Sequence, residues 1–471
     1  MDFVGRAEEL AFFERMAQKE GPQLILLYGR RRVGKSALMR HWAENSGIPH
    51  TYWSAAKEPA ALQRRKLFNA VLGGAGSATT FESWGDCFEA VARVLGDQRH
   101  ILLLDELPYA VDVEQAVLSS FQNAWDHLFK RKGQAIIVLC GSHVNVMERL
   151  LNLQSPLYGR FTGRWHLKPL PFRALSAFLP KWSAEERVAI YATVGGIPAY
   201  LEWLDSKLSY HDNLRHVLLA PGSLFAAEPE FLLYDELREP RNYLAILKAI
   251  GDGAHTLALI QQATTIDKSN LSGYLAKLQE LYLVERRIPA LIHPRERDRS
   301  RKGRYHLADP YFRFYFRFLA PYVDDLAYQP ERVLPGIYQQ IKAHMGLSAW
   351  EELSRQWVGW AAKTGKIDFI PEKTGAHWGD GVQIDVVAVS WTRKQMLLGE
   401  SRWGGDPVGP AMLQELITKA KSVVPGQDWR VQYAIFSRSG FTAPARREGE
   451  AVGALLVDLA ALDADIGGGG D

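Results

Sequence analysis

The chain has 471 residues, a length that corresponds to about three domains of ordinary size. Apolar residues make up 47% and charged residues 23%, values that are typical of globular proteins and exclude wholesale disorder. There are 56 Lys and Arg residues against 53 Asp and Glu, so the net charge of +3 indicates no partner by itself. Only two cysteines are present, which excludes a disulfide framework and a Cys-rich zinc site.

The sequence contains no targeting or membrane signal. The N-terminal residues lack the basic and apolar regions of a signal peptide. The apolar runs are far shorter than the ~20 residues that span a bilayer. We therefore expect a cytoplasmic protein with no membrane partner.

The first third of the chain alternates short apolar strands with longer helical stretches. Strands are predicted at 23–28, 101–104 and 135–140, and helices at 36–45 and 81–95. Because each strand is apolar throughout, we expect it to be buried on both faces of a sheet. The alternation predicts an α/β fold in which a parallel sheet lies between two helical layers.

A phosphate-binding motif follows the first strand. Residues 29–36, GRRRVGKS, match the pattern G-x-x-x-x-G-K-[ST] between an apolar strand and a helix. In such a loop, Gly29 and Gly34 let backbone N–H groups surround phosphate oxygens at a helix N-terminus. Lys35 is expected to reach the β- and γ-phosphates, and the Ser36 hydroxyl to bind Mg²⁺. The motif therefore predicts a site for ATP and Mg²⁺.

A pair of carboxylates ends the second predicted strand. Asp105 is expected to hold Mg²⁺, and Glu106 to orient or deprotonate the attacking water. An apolar strand followed by Asp-Glu is a weak signal alone, but here it lies downstream of a phosphate-binding loop. The combination predicts ATP hydrolysis.

Further segments resemble AAA+/STAND-type ATPases, in particular the archaeal-type ATPases found in archaea and bacteria. Residues 3–10, FVGRAEEL, resemble the "FVGRExEL" box of these proteins, with Ala7 in place of the usual Glu. The segments 139–142 (LCGS), 155–160 (SPLYGR) and 195–198 (GGIP) complete the set. The resemblance implies a P-loop AAA+ type core followed by a helical lid.

The resemblance also implies roles for four residues. Arg6 would lie near the nucleotide, Ser142 would be the polar sensor, and Pro198 would contact adenine from the lid. Arg160 would be a finger- or sensor-type arginine that acts in cis or in trans. The alternatives are that Arg160 pairs with a surface acid and that Ser142 caps a strand end.

Residues 241–325 are predicted to form a winged helix-turn-helix, because three helices precede a strand pair around a charged loop. Between Arg286 and Arg304 lie eight basic and two acidic residues, a local charge of +6. This loop would be the wing, which can lie along DNA phosphates; the alternative is a packing role. The residues predicted to contact nucleic acid are Arg295, Arg297, Arg299, Arg301, Lys302 and, further along the chain, Arg402.

A second α/β segment, residues 336–462, carries Asp385 on one strand and Glu400-x-Arg402 on the next. This pattern resembles the PD-(D/E)xK, restriction-endonuclease-like fold, in which Glu351 on an upstream helix would supply another carboxylate. The resemblance implies that Glu351, Asp385 and Glu400 bind Mg²⁺ for nuclease chemistry. Arg402 stands where the family has Lys, and arginine cannot readily become a neutral base. An inactive, nuclease-like domain is therefore the alternative.

The predicted protein is an ATPase that couples its nucleotide state to DNA binding or processing, with defence as one setting. The alternative is a nucleotide-regulated DNA-binding or signalling protein with an inactive nuclease-like domain. A homo-oligomer is a further candidate partner. The predicted domains are the ATPase core (1–170), the helical lid (171–240), the winged helix (241–325), the nuclease-like domain (336–462) and a flexible tail (463–471).

Overall fold

The computed structural model divides the chain into two compact units. The first contains the residues up to Leu170 together with Ile197–Ala199, and the second contains Pro171–Gly196 and the residues from Tyr200 onward. No helix in the described part of the chain is long and apolar enough to cross a membrane. The structure describes residues 3–74, 78–220, 222–237 and 239–467.

The first unit is built on a five-stranded sheet in which every strand pair is parallel. Its strands are β1 (Gln23–Tyr28), β2 (His50–Ser54), β3 (Arg99–Asp105), β4 (Gln134–Gly141) and β5 (Gly163–His166), in the spatial order β2-β3-β4-β1-β5. All six residues of β1 are buried, as the apolar sequence predicts. The parallel α/β core is therefore confirmed, although β2 and β5 are additions to the three predicted strands.

Helices connect the strands of the first unit. The helix predicted at 81–95 begins at Trp84, because Ser83 and Asp86 form a reciprocal capping box there. The connections place the carboxyl ends of the parallel strands at one edge of the sheet. The helices are Ala7–Ala17, Lys35–Asn45, Ala60–Val71, Trp84–Leu95, Leu107–Val113, Ala116–Ala124, Lys130–Lys132 and Val144–Arg149, with a π-helical turn at Trp125–Phe129.

The second unit begins with helices and then continues into the region predicted as a winged helix. Three helices, Arg241–Gly251, Leu257–Thr264 and Lys268–Glu280, precede the antiparallel strands β6 (Val284–Arg287) and β7 (Arg304–Leu307). This is the element order predicted from the sequence. The preceding helical segments are Phe172–Ala174, Leu175–Phe178, Ala184–Val194, Tyr210–Asn213, Leu214–Leu218 and Leu224–Glu236. The helix Pro198–Glu202 begins with two residues of the first unit and ends in the second.

A separate sheet domain occupies the C-terminal part of the second unit. Its sheet has the order β12-β11-β10-β9-β8, with parallel pairs from β10 to β12 and antiparallel pairs from β8 to β10. The strands are β8 (Lys373–Gly379), β9 (Val382–Ser390), β10 (Gln395–Arg402), β11 (Arg430–Ser437) and β12 (Leu455–Asp458). The helical segments are Pro310–Phe314, Tyr315–Leu319, Ala320–Tyr322, Val323–Tyr328, Pro330–Met345, Gly346–Trp350, Glu351–Lys363, Ala411–Val423, Ala443–Val452, Leu459–Leu462 and Asp463–Gly467.

The start of the predicted tail differs from the expectation. Residues 463–467 form a helical turn, and the Asp463 carboxylate accepts a 2.6 Å hydrogen bond from Arg187. Asp465 accepts hydrogen bonds from Trp357 at 2.7 Å and from Lys366 at 2.8 Å. These polar contacts hold a segment that composition alone marks as tail, whereas residues 468–471 lie outside the described residues.

Candidate functional site

The phosphate-binding loop lies between the end of β1 and the helix that begins at Lys35. Gly29 has no room for a side chain, because a Cβ there would lie 2.3 Å from the Leu167 carbonyl oxygen. Gly34 has a φ of 90°, in the left-handed region that favours glycine. The Lys35 Nζ donates to the carbonyl oxygens of Gly29 at 2.9 Å and Arg30 at 3.0 Å. The ammonium group therefore lies over the loop where phosphates would bind.

Ser36 and Asp105, predicted from separate segments to share Mg²⁺, are in direct contact. The Ser36 Oγ donates to Asp105 Oδ2 at 2.5 Å, and the backbone N–H of Glu106 donates to Asp105 Oδ1 at 2.9 Å. A hydroxyl and a carboxylate offer the hard oxygen ligands that Mg²⁺ prefers. The two side chains therefore fit the predicted magnesium site.

The sequence prediction missed Tyr52, a third side chain at this carboxylate. Tyr52 lies on β2, and its hydroxyl donates to Asp105 Oδ2 at 2.8 Å. Burial and the nearby negative charge of Asp105 raise the pKa of Tyr52 to about 12, so its phenol keeps its proton at neutral pH. Tyr52 was missed because its strand was missed: β2, HTYWS, lacks the continuous apolar run from which the other buried strands were predicted.

Glu106 is held by Ser142, the predicted sensor. One oxygen of its carboxylate accepts hydrogen bonds from the Ser142 backbone N–H at 3.1 Å and hydroxyl at 2.8 Å. The Glu106 backbone has a φ of 48°, a conformation that is uncommon for a non-glycine residue and that concentrates at functional sites. Ser142 thus orients the carboxylate that was predicted to act on water.

Arg6 and Pro198 both lie beside the phosphate-binding loop. Arg6 is only 5% exposed, and it donates to the carbonyl oxygens of Val33 at 2.8 Å and Lys168 at 2.9 Å. Its guanidinium therefore braces the loop backbone. A Cβ built on Gly34 would lie 3.7 Å from Pro198 Cγ, which puts this proline next to the loop.

Arg160 forms an ion pair with an acid, the alternative that the sequence left open. Its Nη2 lies 2.8 Å from Asp126 Oδ2, and its Nε lies 3.1 Å from both carboxylate oxygens. The hydrogen bonds from Arg160 lower the pKa of Asp126. A role at the γ-phosphate stays a prediction, and it would require Arg160 to leave this partner.

The predicted wing packs against strand β8 of the C-terminal sheet. The Ala290 backbone N–H donates to the Ala376 carbonyl at 2.8 Å, and the Trp378 indole N–H donates to the Lys302 carbonyl at 2.9 Å. The Lys302 Nζ pairs with Asp380 at 3.0 Å. Part of the wing therefore has the packing role that was its alternative interpretation.

These contacts narrow the set of basic residues available to nucleic acid. The Arg297 guanidinium lies 3.3 Å from the Ile288 carbonyl oxygen, and burial lowers its pKa. Arg297 and Lys302, both predicted nucleic-acid contacts, thus already have partners within the protein. Within the described ranges, four predicted contacts have exposed side chains with no hydrogen bond or ion pair: Arg295, Arg299, Arg301 and Arg402.

The carboxylates of the predicted nuclease-like site lie near one another in the second unit. The Ser401 backbone N–H donates to Asp385 Oδ2 at 3.1 Å. Burial raises the pKa of Glu351 to about 7, and the negative charge of Asp385 is the second-largest cause. The same two causes raise the pKa of Glu400. The three carboxylates singled out in the sequence are thus close enough for the Asp385 charge to act on the other two, and their role as a nuclease site stays a prediction.

A lysine also contacts this cluster, but from a position that the sequence prediction missed. Lys419, on the helix Ala411–Val423, places its Nζ 2.6 Å from Glu400 Oε1, whereas Arg402 is exposed. No short motif connects Lys419 with Glu400, since 18 residues separate them. Among the described residues, no three His, Cys, Asp or Glu side chains are grouped as a metal site, and this includes the predicted nuclease carboxylates.

Comparisons with known proteins identify the family of this chain. A family described as an ATPase domain predominantly from Archaea matches residues 3–204. An uncharacterized protein of Methanocaldococcus jannaschii is 32% identical, and the match covers 93% of this chain and 95% of that protein. The chain belongs to the archaeal-type ATPase family. In this ATPase, residues 315–409 match a second family, described as archaeal and bacterial proteins of unknown function.

Two solved structures are similar to this archaeal-type ATPase. A Walker-type ATPase of Pyrococcus abyssi is 21% identical, with a TM-score of 0.46 and coverage of 67% of this chain and 96% of that chain. The ORC2 protein of Aeropyrum pernix, in ADPNP–ADP complexes, is 14% identical, with a TM-score of 0.45 and coverage of 72% and 97%. The family assignment rests on the sequence matches.

The raised pKa of Glu351 predicts a pH-dependent stability. Its folded-state pKa of about 7 exceeds the ordinary value of 4.5. The protonated Glu351 side chain therefore contributes its full share of the free energy of unfolding below pH 4.5, and this contribution is lost as the pH rises through 7. We expect Glu351→Gln to reduce the loss of stability between pH 5 and pH 8 by about 1–3 kcal/mol. Thermal unfolding in EDTA measures this difference.

The exposed Glu415 provides the matched control, Glu415→Gln. This variant is expected to keep the pH response of the wild type. An unchanged pH response in Glu351→Gln would show that this carboxyl is not responsible.

Proposed function

We propose that this archaeal-type ATPase hydrolyses ATP with Mg²⁺ and that its nucleotide state controls binding to duplex DNA. The contact between Ser36 and Asp105, beside the Lys35 ammonium, is the observation that supports the ATPase half of the proposal. It joins the two residues that a nucleotide-bound Mg²⁺ requires, although they are far apart in the sequence. The proposal includes a cytoplasmic location, where ATP and Mg²⁺ are available.

Each residue of the site has a distinct role in the proposed reaction. The loop N–H groups and Lys35 bind the phosphates, while Ser36 and Asp105 hold Mg²⁺. When bound there, Mg²⁺ would offset the negative charge of the phosphates. Glu106, oriented by Ser142, accepts a proton from the water that attacks the γ-phosphate, and ADP and phosphate result. Arg160 contributes to catalysis only after it leaves Asp126 and contacts the γ-phosphate. That phosphate is bound either in its own chain or in a neighbouring copy of a homo-oligomer.

Two substitutions separate binding from hydrolysis. Lys35→Ala is expected to abolish detectable nucleotide binding, because it removes the cation at the phosphates. Glu106→Gln is expected to bind ATP but to lower kcat about 10²–10⁴-fold, the usual contribution of a general base. Fluorescent-nucleotide titration and phosphate release measure the two effects, and Glu44→Gln, an exposed site in the same unit, is the control. Wild-type hydrolysis by both variants would contradict the site assignment.

The DNA half of the proposal rests on an exposed basic and polar surface in the second unit. Arg295, Arg299 and Arg301 extend from the wing without internal partners within the described ranges. The helix Lys268–Glu280 buries leucines on one side and exposes Lys268, Ser269, Asn270 and Ser272. Arginines at phosphates supply affinity that depends on salt, and a polar helix can read base edges.

Charge reversal of the three free wing arginines tests this surface. We expect the triple variant Arg295→Glu, Arg299→Glu and Arg301→Glu to weaken duplex binding and to reduce the slope of log affinity against log salt by about three. Anisotropy titrations across a salt series measure both quantities. The control reverses three exposed basic residues elsewhere in the second unit, Arg332, Lys363 and Arg447, and so makes the same change in net charge. Equal losses of DNA affinity in both variants would show that only the net charge of the protein matters and would contradict a DNA-binding role of the wing.

The same titrations test the coupling to nucleotide. Glu106→Gln is expected to hold the ATP-bound state, so its DNA affinity with ATP should differ from its affinity with ADP. Lys35→Ala should show no such difference, because it does not bind either nucleotide. Identical DNA affinity of Glu106→Gln in ATP, in ADP and without nucleotide would contradict the coupling.

DNA cleavage is a second candidate function, favoured by the contact between Lys419 and Glu400. Lys419 places a cation beside Glu400, where the family pattern has a lysine and this chain has the exposed Arg402. However, among the described residues these carboxylates are not grouped as a metal site. The inactive, nuclease-like domain is the competing alternative.

Plasmid nicking with Mg²⁺ or Mn²⁺ distinguishes these alternatives. If the domain cleaves DNA, Lys419→Met and Glu400→Ala are expected to abolish nicking, whereas Arg402→Met retains it. Thermal unfolding of each variant checks that the domain still folds. Equal nicking by the wild type and Glu400→Ala would indicate a contaminating nuclease and would exclude this function.

A further inference from the structure

The Asp105 carboxylate is held by donors from three separate parts of the first unit. Ser36 and Tyr52 both donate to Oδ2, at 2.5 Å and 2.8 Å, and the Glu106 N–H donates to Oδ1 at 2.9 Å. Asp105 is 1% exposed, so water contributes little to its solvation. These three hydrogen bonds hold its orientation, and the buried Cys140 thiol also lies against the carboxylate.

Tyr52 has little freedom to move away from the carboxylate. It lies on β2, whose backbone pairs with β3 in a register that places Ser54 opposite Asp105. The guanidinium carbon of Arg40 lies 5.1 Å from the centre of the Tyr52 ring. Arg40 belongs to the helix that begins at Lys35, so one contact at the ring and one at the hydroxyl connect Tyr52 with the phosphate-binding helix and with Asp105.

We propose that Tyr52 is a positioning residue for the Mg²⁺ site. Its hydroxyl fixes the Asp105 carboxylate, and the orientation of that carboxylate sets how much Mg²⁺ increases the affinity for nucleotide. This inference rests on the proposed function, in which Ser36 and Asp105 hold the metal. Mg²⁺ demands near-ideal octahedral geometry, so a rotated carboxylate is a poor partner for it. Tyr52 itself would contact neither the metal nor the phosphates.

The substitution Tyr52→Phe removes the hydroxyl and leaves the ring. Fluorescent ADP is titrated into the full-length protein in Mg²⁺ and in EDTA, and the ratio of the two affinities is compared. We expect the affinity in EDTA to stay the same and the ratio to fall about tenfold, the effect of one hydrogen bond to a charged group. In ATP hydrolysis, the half-saturating Mg²⁺ concentration should rise by a similar factor, while kcat at saturating Mg²⁺ is largely recovered.

Two controls accompany this variant. Tyr158→Phe removes a hydroxyl from an exposed tyrosine of the same unit and should leave every affinity unchanged. Ser36→Ala removes a proposed metal ligand and should abolish most of the Mg²⁺ effect.

The outcomes separate this inference from the proposed function. A wild-type affinity ratio in Tyr52→Phe would overturn the positioning role, and so would an equal loss of affinity in Mg²⁺ and EDTA, which marks a general structural effect. If Ser36→Ala keeps the full Mg²⁺ effect, or if the wild type does not bind ADP, the proposed metal site fails and the positioning role fails with it.

Discussion

The buried carboxylate of Asp105 is the constraint on which the first unit depends. A carboxylate out of contact with water is costly unless hydrogen bonds or cations compensate it. Here the compensation comes from the phosphate-binding helix through Ser36 and from β2 through Tyr52. Because β3 lies between β2 and β4, the parallel sheet brings these groups to one edge and assembles the site from segments that are distant in sequence.

The neighbouring carboxylate, Glu106, is held at the same edge of the parallel sheet by a different set of contacts. Its backbone adopts an unusual conformation, and its side chain accepts two hydrogen bonds from Ser142 after β4. Asp105 and Glu106 are therefore held by different strands although they are adjacent in the chain. Each carboxylate thus has its own set of donors, which keeps the two proposed roles, metal binding at Asp105 and water orientation at Glu106, on separately held side chains.

The sequence predicted those elements whose pattern lies within one continuous segment of the chain. Continuous apolar runs predicted β1, β3 and β4, and the glycine-lysine motif predicted the phosphate-binding loop. The short strands β2 and β5 have polar or mixed sequences, so periodicity could not find them, and Tyr52 was missed with β2. Lys419 was missed because its contact with Glu400 exists only in three dimensions. Counting the charges of the wing could not show that Arg297 and Lys302 already have partners.

The contact between the wing and β8 has a consequence for solubility and assembly. Strand β8 is the last strand on its side of the C-terminal sheet, where unpaired backbone groups can recruit a strand from another molecule. The hydrogen bond from Ala290 to Ala376, together with the contact between Trp378 and Lys302, covers part of that edge. The basic loop thus occupies backbone positions at which another molecule could otherwise add a strand, and this covering does not depend on any nucleic acid.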